Sequence, residues 1–558
     1  MAQAVLMALA VCALLILLVW PLISDTEYLM GDAAADAGFI GHQADSLRQG
    51  YLPSHFVYSD SGIFYAVFAF YGGTLFAIAG AISLLVGSPT AAQAIVYALA
   101  LAAAYGGWLW LARMAGVRSW HAHAPAILYV TAPYVLTNVD VREDLTESVA
   151  TAMLPLLLAS ALSVLRADRL RAGPAAALAA STIVLGGTHN LTLLWATTVL
   201  GLAALALLAG VPQARHMVTR RGLLRVLAIA VPAMAVNAWY LLPDLAYYSH
   251  TVIAHRIDEW RASARTVNPA IDAKHLFSVG RVTPFPGSAF SAALPVLAIA
   301  WVLLAAVVVH RQWRQAWART LAVISLVTVA VLVVMTHPRL ISALPDPWLM
   351  IQYSYRLETF ALLGICGAVI AALALIGHGR HRWLTALLLP ILAYSVFSAL
   401  RQVGNVPRAD IPAPVSIDNL ATFSTGDFAD VSVRQRPPEQ AQVVVFTRKD
   451  AHRDRLDVTV KARPREVIYM DVMAIAPMVD IQGARVVGRW ARPPLRSTWQ
   501  PYWYLALQVD DDATPGKAHI TIREARTLPI VGGRIISILG LLGLAANAVV
   551  IVRGRRRS

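Results

Sequence analysis

Residues 212–225 read PQARHMVTRRGLLR, four arginines and no acid set between two long apolar runs. Five further breaks of the same kind punctuate the chain, at 113–121, 166–171, 310–319, 378–382 and 553–558. Together the six hold eighteen arginines against one acid, Asp168. Basic residues are retained on the cytoplasmic side of a membrane, so these breaks are expected to face the cytoplasm and the runs between them to alternate accordingly.

Composition agrees with a bilayer protein. The 558 residues are 58% hydrophobic and only 14% charged, and the mean hydropathy is +0.60, too apolar for a soluble globule of this length. The formal charge of +14 divides unevenly: the breaks carry +17, and the rest of the chain holds 28 basic against 31 acidic residues. The basic excess is therefore topological, and a nucleic-acid partner is rejected. Only Cys12 and Cys366 occur, both in apolar runs, which supports no disulfide framework, zinc knuckle or thiol chemistry.

Runs of about 20 apolar residues, long enough to span, begin near Ala4, Thr90, Ala122, Leu145, Pro174, Leu191, Leu223, Ala292, Leu321, Leu357, Trp383 and Val531. The expected fold is an all-α polytopic membrane bundle of about twelve transmembrane helices with both termini cytoplasmic. Residues 1–24 lack a basic leading segment and are expected to be an uncleaved anchor. Residues 61–86 are apolar too, but counting them as a span upsets the alternation. They are expected to lie on or dip into the outer face, with Tyr65, Phe68, Phe70 and Tyr71 in an interfacial layer.

Beyond residue 401, period-two alternation appears in QVVVFTRKD, RLDVTVKA, REVIYMDVMAI and GKAHITIRE. The predicted organisation is a transmembrane domain over 1–400 with an outer first loop at 25–89, an extracytoplasmic β-sandwich over 401–530, and a final transmembrane anchor with a basic tail over 531–558. The sandwich carries Trp490, Trp499, Tyr502, Trp503 and Tyr504, which suit a sugar-stacking platform, a sandwich core or an aromatic belt. The run Asp510, Asp511, Asp512 before TPGK predicts a hairpin turn rather than a calcium site.

Ionisable residues gather at the outer ends of the runs. An ion path would leave them at mid-depth, together with inverted repeats and broken helices, and neither of those is expected here; a secondary transporter is therefore disfavoured against an outer-face active site. The first outer loop holds Asp25, Glu27, Asp32, Asp36, His42 and Asp45, either a solvated acidic loop or a source of general base toward an acceptor hydroxyl. In NVDVREDLTE, residues 138–147, Glu143, Asp144 and Glu147 suit a helix N-terminus. Arg142 suits either a bidentate clamp on a lipid phosphate or snorkelling toward headgroups. His189 and Asn190 stand at a tight outer turn, and Arg356 enters a run beside Trp348, Tyr353 and Tyr355, where a buried cation needs an anionic partner.

The order of these features resembles the GT-C superfamily of polyprenyl-phosphate-sugar glycosyltransferases, in the bacterial branch of YfhO-like and PTPS-related (6-pyruvoyl-tetrahydropterin synthase-related) integral membrane proteins. HQADSLRQGYLP with FYAVFAFYGG, YVLTNVDVREDLTESVATAMLPLLL, the His189 turn, VNAWYLLPDLAYY, IQYSYRLE and the closing GGRIISILGLL carry that resemblance nearly end to end. It departs where Asn138 and Asp140 stand for the pattern's Asp and Tyr, and where QYSYR replaces QFPWR. The resemblance implies a multi-pass protein of the bacterial cytoplasmic membrane that moves a sugar from a polyprenyl-phosphate donor to a cell-envelope glycan, lipid or protein acceptor by an inverting, general-base mechanism. Asp36 or Asp32 would be the base, and Arg142 and Arg356 the phosphate clamps. His42, Glu147, His189 and Asn190 would complete the substrate-binding lining. No cofactor is implied; the clustered carboxylates leave room for a divalent cation, but no spacing demands one. The rival from another class is a non-catalytic scaffold or an export component for lipid-linked glycans that kept the fold and lost the chemistry.

Overall fold

A computed structural model of the chain describes residues 2–24, 32–50, 53–58, 64–251, 253–257, 261, 273–277, 291, 293–308, 310, 314–376, 382–405, 442–444, 451–452, 455–470, 472, 475–487 and 505–556. The helices used below are α1 (Ala2–Leu18), α2 (Ala33–Arg48), α3 (Gly73–Val86), α4 (Pro89–Met114), α5 (Ala124–Val130), α6 (Pro133–Asp140), α7 (Leu145–Arg166), α8 (Ala172–Gly186), α9 (Asn190–Gly210), α10 (Arg220–Ala235), α11 (Ala238–Tyr247), α12 (Val296–Val308), α13 (Ala316–Thr336), α14 (Glu358–Ile376), α15 (Leu388–Gly404) and α16 (Leu528–Arg556).

Among the described residues, seven helices are long and apolar enough to cross a membrane: Pro89–Met114, Leu145–Arg166, Asn190–Gly210, Ala316–Thr336, Ser354–Ile376, Trp383–Gly404 and Leu528–Arg553. The chain is a membrane protein. Of the twelve runs anticipated, those near Ala4, Pro174 and Ala292 form shorter helices. The 15 residues of α8, for instance, rise only about 22 Å against a hydrocarbon core of about 30 Å. The run near Ala122 is broken: Pro125 opens α5 and Pro133 opens α6, with Thr131 and Ala132 between them. A proline cannot continue the preceding helix, which is why this run does not cross as one rod.

The run near Leu223 does not form one straight helix: α10 and α11 meet at 70°, the geometry of a broken span or a re-entrant loop. Discontinuity, which was not expected here, costs backbone hydrogen bonds that buried polar groups must replace. The Ser537 hydroxyl of α16 accepts from the Trp239 amide at 2.9 Å, and Asn237 donates to the Ile183 carbonyl and accepts from Thr74. Gly533 and Gly540 let α16 lie against this bend. A Cβ on Gly533 would sit 2.5 Å from the Ala238 carbonyl oxygen.

The arginine-rich breaks converge. Met114, Arg166, Arg169, Arg171, Arg225 and Ile551 line one cavity, and Met114, Arg166, Met217 and Trp317 line its neighbour. These groups come from five places in the sequence and meet at one end of the bundle. The other end of α7 holds Leu145, and 22 residues separate the two ends by about 33 Å. At that end stand the acids of the first loop.

The aromatic segment after the first loop is core rather than an interfacial layer. Phe68, Tyr65 and Phe70 are buried, and Phe68 packs edge-on to Phe39 at 5.5 Å and against Phe76 at 5.8 Å. Packing beside α2 and α3 removes these rings from both water and lipid. Of that layer, Tyr71 alone keeps partial exposure.

A short antiparallel pair, β1 (Val57–Tyr58) and β2 (Phe64–Tyr65), follows α2, and among the described residues the C-terminal region contains two four-stranded sheets. One, ordered β4-β5-β10-β7, is antiparallel and uses Ala451–His452, Arg455–Val460, Ala518–Glu524 and Val479–Gln482; the other, β3-β6-β9-β8, uses Gln442–Val444, Val467–Met470, Leu505–Val509 and Ala484–Val486, with β3 parallel to β6. In β5 and β10 the alternate residues Leu456, Val458, Val460, Ala518, Ile520 and Ile522 are buried, the period-two pattern seen in sequence. Asp510 and Asp511 lie in the turn that leads to β10, where Arg465 grips Asp511 with two hydrogen bonds of 2.8 and 2.9 Å. Trp490, Trp499, Tyr502, Trp503 and Tyr504 lie outside the described residues, as do Asp25 and Glu27.

These sheets are fastened to the acidic end of the bundle. His55, from the first loop, is fully buried and contacts Glu524 of β10 through Nδ1 at 2.5 Å, while its Nε2 lies 2.8 Å from the Trp239 carbonyl. Arg534 of α16 holds the other Glu524 oxygen at 2.7 Å. Burial opposes charge on Glu524, but His55 and Arg534 outweigh it and hold the carboxyl below the usual range.

Candidate functional site

The site is assembled on α6, the turn after it, and the starts of α7 and α14. Tyr134 and Asn138 lie four residues apart on one face of α6, and Arg142, in the turn after the helix, reaches back to the Asn138 side chain. The turn that follows places Glu143 at φ 50°, a left-handed conformation costly for a residue with a side chain. It is buried, and the reversal lets Asp144 cap α7, its carboxylate accepting from the Glu147 amide at 2.9 Å.

Arg142 is fixed from three sides. It donates to the Asn138 side chain at 2.6 Å, to Glu147 Oε2 at 3.0 Å and to Asp144 Oδ2 at 2.8 Å, and it lies over the Tyr355 ring at 5.5 Å. This excludes snorkelling. Glu147 is the hub: its Oε1 accepts from the Tyr134 hydroxyl at 2.5 Å, and its Oε2 also lies 3.0 Å from Nε of Arg356.

Arg356 is held less tightly than Arg142. Its contact with Glu147 lacks hydrogen-bond alignment, its Nη2 is 4.0 Å from Asp144, and its one hydrogen bond among the described residues, to Gln352, is 3.3 Å long. Gln352 stands at φ 61°, so strained backbone adjoins both guanidinium groups. The side chains of Arg142 and Arg356 remain 14% and 15% exposed.

Asp32 and Asp36 divide in role. The Asp36 carboxylate is buried and accepts from the Leu145 amide at 3.2 Å, so it ties α2 to the start of α7. Burial, reinforced by Asp32 and Asp144, pushes its pKa well above the ordinary carboxylate value. Asp32 is exposed, its backbone amide donates to the Arg142 carbonyl at 3.0 Å, and its side chain makes no hydrogen bond in capping α2. Surrounding protein mass and the Asp144 charge push it up to about 6, against the pull of Arg142 and Arg356. Asp144 itself is desolvated, yet Arg142 and Arg356 hold it down to about 2.

His189 caps α9, its Nδ1 accepting from the Thr192 amide at 3.3 Å, and faces Tyr71 edge-on at 6.3 Å. Burial lowers its pKa, so the imidazole is neutral and polar toward Asp144 and Glu147. Asn190 turns away, donating to Asp244 at 2.6 Å and accepting from Tyr240 at 3.0 Å, which pins α11 instead. His42 also leaves the cluster. It lies farther along α2, buried and stacked at 6.0 Å on Phe68.

Asp32, Asp36, Arg142, Glu147, His189 and Arg356 thus gather at one end of the bundle; His42 and Asn190 do not join them. Asp144, expected only as an acid at a helix N-terminus, and Tyr134, not among the expected site residues, complete the network. The four-residue spacing from Tyr134 to Arg142 was the available signal. Among the described residues no group of three His, Cys, Asp or Glu side chains is arranged to hold a metal.

No family model and no curated protein matches the chain. Among solved structures it is similar to arabinofuranosyltransferase AftD from Mycobacteria, at 18% identity and a TM-score of 0.40, over 78% of this chain and 30% of that one. The chain therefore spans less than a third of that protein's length.

Proposed function

We propose that this chain is an integral membrane glycosyltransferase of GT-C type, transferring a sugar from a polyprenyl phosphate to a hydroxyl acceptor at the acidic end of the bundle. The observation that carries the proposal is the Arg142–Glu147–Arg356 bridge beside Asp32. Two guanidinium groups meet over one carboxylate oxygen, and among the described residues Arg356 makes a single hydrogen bond, to Gln352. A phosphate oxygen engaging both would meet fixed positive charge where a leaving group needs it.

Asp32 is the base in this reading. Its exposure and raised pKa suit an acid that must accept a proton near neutral pH. The acceptor oxygen attacks the anomeric carbon as its proton passes to Asp32. The bond from that carbon to the phosphate oxygen breaks on the opposite face, and Arg142 and Arg356 take up the charge left on the phosphate. Asp36 keeps the loop in place, and His189 lines the site as a neutral donor. In a bacterial cytoplasmic membrane the arginine-rich end would face the cytoplasm and the site the outer leaflet, where lipid-linked sugars reach cell-envelope glycan, lipid or protein acceptors.

One observation favours a second reading. Arg142 and Arg356 are balanced by Asp144 and Glu147, as a purely structural ion network would be, which fits a non-catalytic scaffold or export component. Reconstitution decides between them. Wild-type protein in liposomes with radiolabelled polyprenyl-phosphate sugars should transfer label to acceptor, and Asp32→Asn should not. Equal transfer by both would assign the base to another group, and no transfer by wild type with any donor supports the scaffold.

A further inference from the structure

The end of the bundle opposite the site carries its own unassigned chemistry. An apolar cavity of about 530 Å³ runs from there between α4, α7, α9, α13 and α14, from Leu162, Leu207 and Trp317 past Ile324 to Phe360 near the start of α14. That volume lies within the usual range of about 300–1,000 Å³ for ligand pockets. Arg166 lines this cavity and also the adjoining polar one with Arg169 and Arg171.

Asp168 lines that polar cavity too, and Arg225 holds its backbone carbonyl. Among the described residues none of Arg166, Arg169 and Arg171 forms an ion pair. The Arg166 guanidinium points Nε and Nη2 at the Met217 sulfur, at 3.0 and 2.6 Å, although a thioether is a weak acceptor. Arg225 is different: it donates to the Ala167 and Asp168 carbonyls and so fixes the loop that presents the other three. A rigid loop of unmatched guanidinium groups beside an apolar slot, within helices long enough to span a bilayer, is complementary to one kind of molecule.

We propose that this is a binding site for an anionic glycerophospholipid of the leaflet at the arginine-rich end, its phosphate held by Arg166 and Arg169 and one acyl chain laid in the cavity. Bound there, the lipid would link α7, α9 and α13 from the side away from the reaction. The site stands independently of the transferase proposal, since it shares no residue with the Arg142–Arg356 cluster.

The test uses full-length protein in phosphatidylcholine nanodiscs doped with phosphatidylglycerol that carries a diazirine in one acyl chain, against an equal dose of the matching phosphatidylcholine probe. Photolabelling should fall on α9 and α13 peptides and favour phosphatidylglycerol. Arg166→Gln should cut that preference roughly five-fold, as expected for one basic side chain beside an anionic lipid. Leu162→Trp, which fills the slot, should remove labelling of these peptides while unfolding temperature confirms an intact protein. Equal labelling by both probes, a preference untouched by Arg166→Gln, or labelling that survives Leu162→Trp would each overturn the proposal. So would loss of the preference to excess inorganic phosphate with acyl labelling of the slot unchanged, which would make the arginines a free-phosphate site.

Discussion

The Asp36 carboxylate accepts a hydrogen bond from the amide of Leu145, 109 residues later in the chain. That bond separates two acids one helical turn apart. Asp36→Asn keeps an acceptor and is expected to leave stability nearly unchanged, whereas Asp36→Ala leaves the amide of Leu145 unmet and should cost about 1–3 kcal/mol. Thermal unfolding of the two variants in one detergent checks the difference.

Asp32 sets the pH dependence. A base must be deprotonated to work, so with a pKa of about 6 the transfer rate at low donor should rise with pH and level off above that value. The sign for stability is opposite. Because Asp32 binds its proton more tightly in the folded chain than at the ordinary 3.8, its contribution becomes unfavourable as pH rises from about 4 to 6. A rate profile that falls across this range would assign the base elsewhere.

The His55–Glu524–Arg534 contact fastens the sheets to the bundle. His55→Ala breaks a buried pair and should cost about 3 kcal/mol, read as faster proteolysis or hydrogen exchange within residues 455–524. Glu524 is held below its ordinary 4.5, so its stabilising share is complete above that pH and is lost as the pH falls through its folded value. Glu524→Gln should remove this acid sensitivity.

Helices α4 and α7 cross at Gly107, where a Cβ would sit 2.4 Å from the Leu156 amide nitrogen and 2.5 Å from the Pro155 carbonyl carbon. Both clashes are with backbone. Gly107→Ala should therefore destabilise by about 1–3 kcal/mol in a thermal melt, and Gly106→Ala, with open space at its Cβ, should not.

Much of this could be read from residue order alone, and the failures have physical causes. The arginine breaks identify one end of the bundle because charge asymmetry is a local property of each loop. Strands such as Arg455–Val460 and Ala518–Glu524 announce themselves by alternation. The short helices are harder to read: the apolar run near Pro174 looks like a span until the break at Gly187–His189 shortens it. Pro125 and Pro133 did mark the break in the Ala122 run. Whether Asp32 or Asp36 is the accessible acid depends on a contact with Leu145 that no local pattern encodes. The burial of Phe68 depends likewise on its meeting Phe39 and Phe76.

The central claim is that Arg142 and Arg356 hold a lipid phosphate beside Asp32. The most direct measurement is a cryo-EM structure of Asp32→Asn protein in nanodiscs with a polyprenyl-phosphate sugar. Phosphate density within hydrogen-bond reach of both guanidinium groups, with the sugar facing residue 32, is the predicted result. Donor bound elsewhere, with both arginines still closed on Glu147, would contradict it.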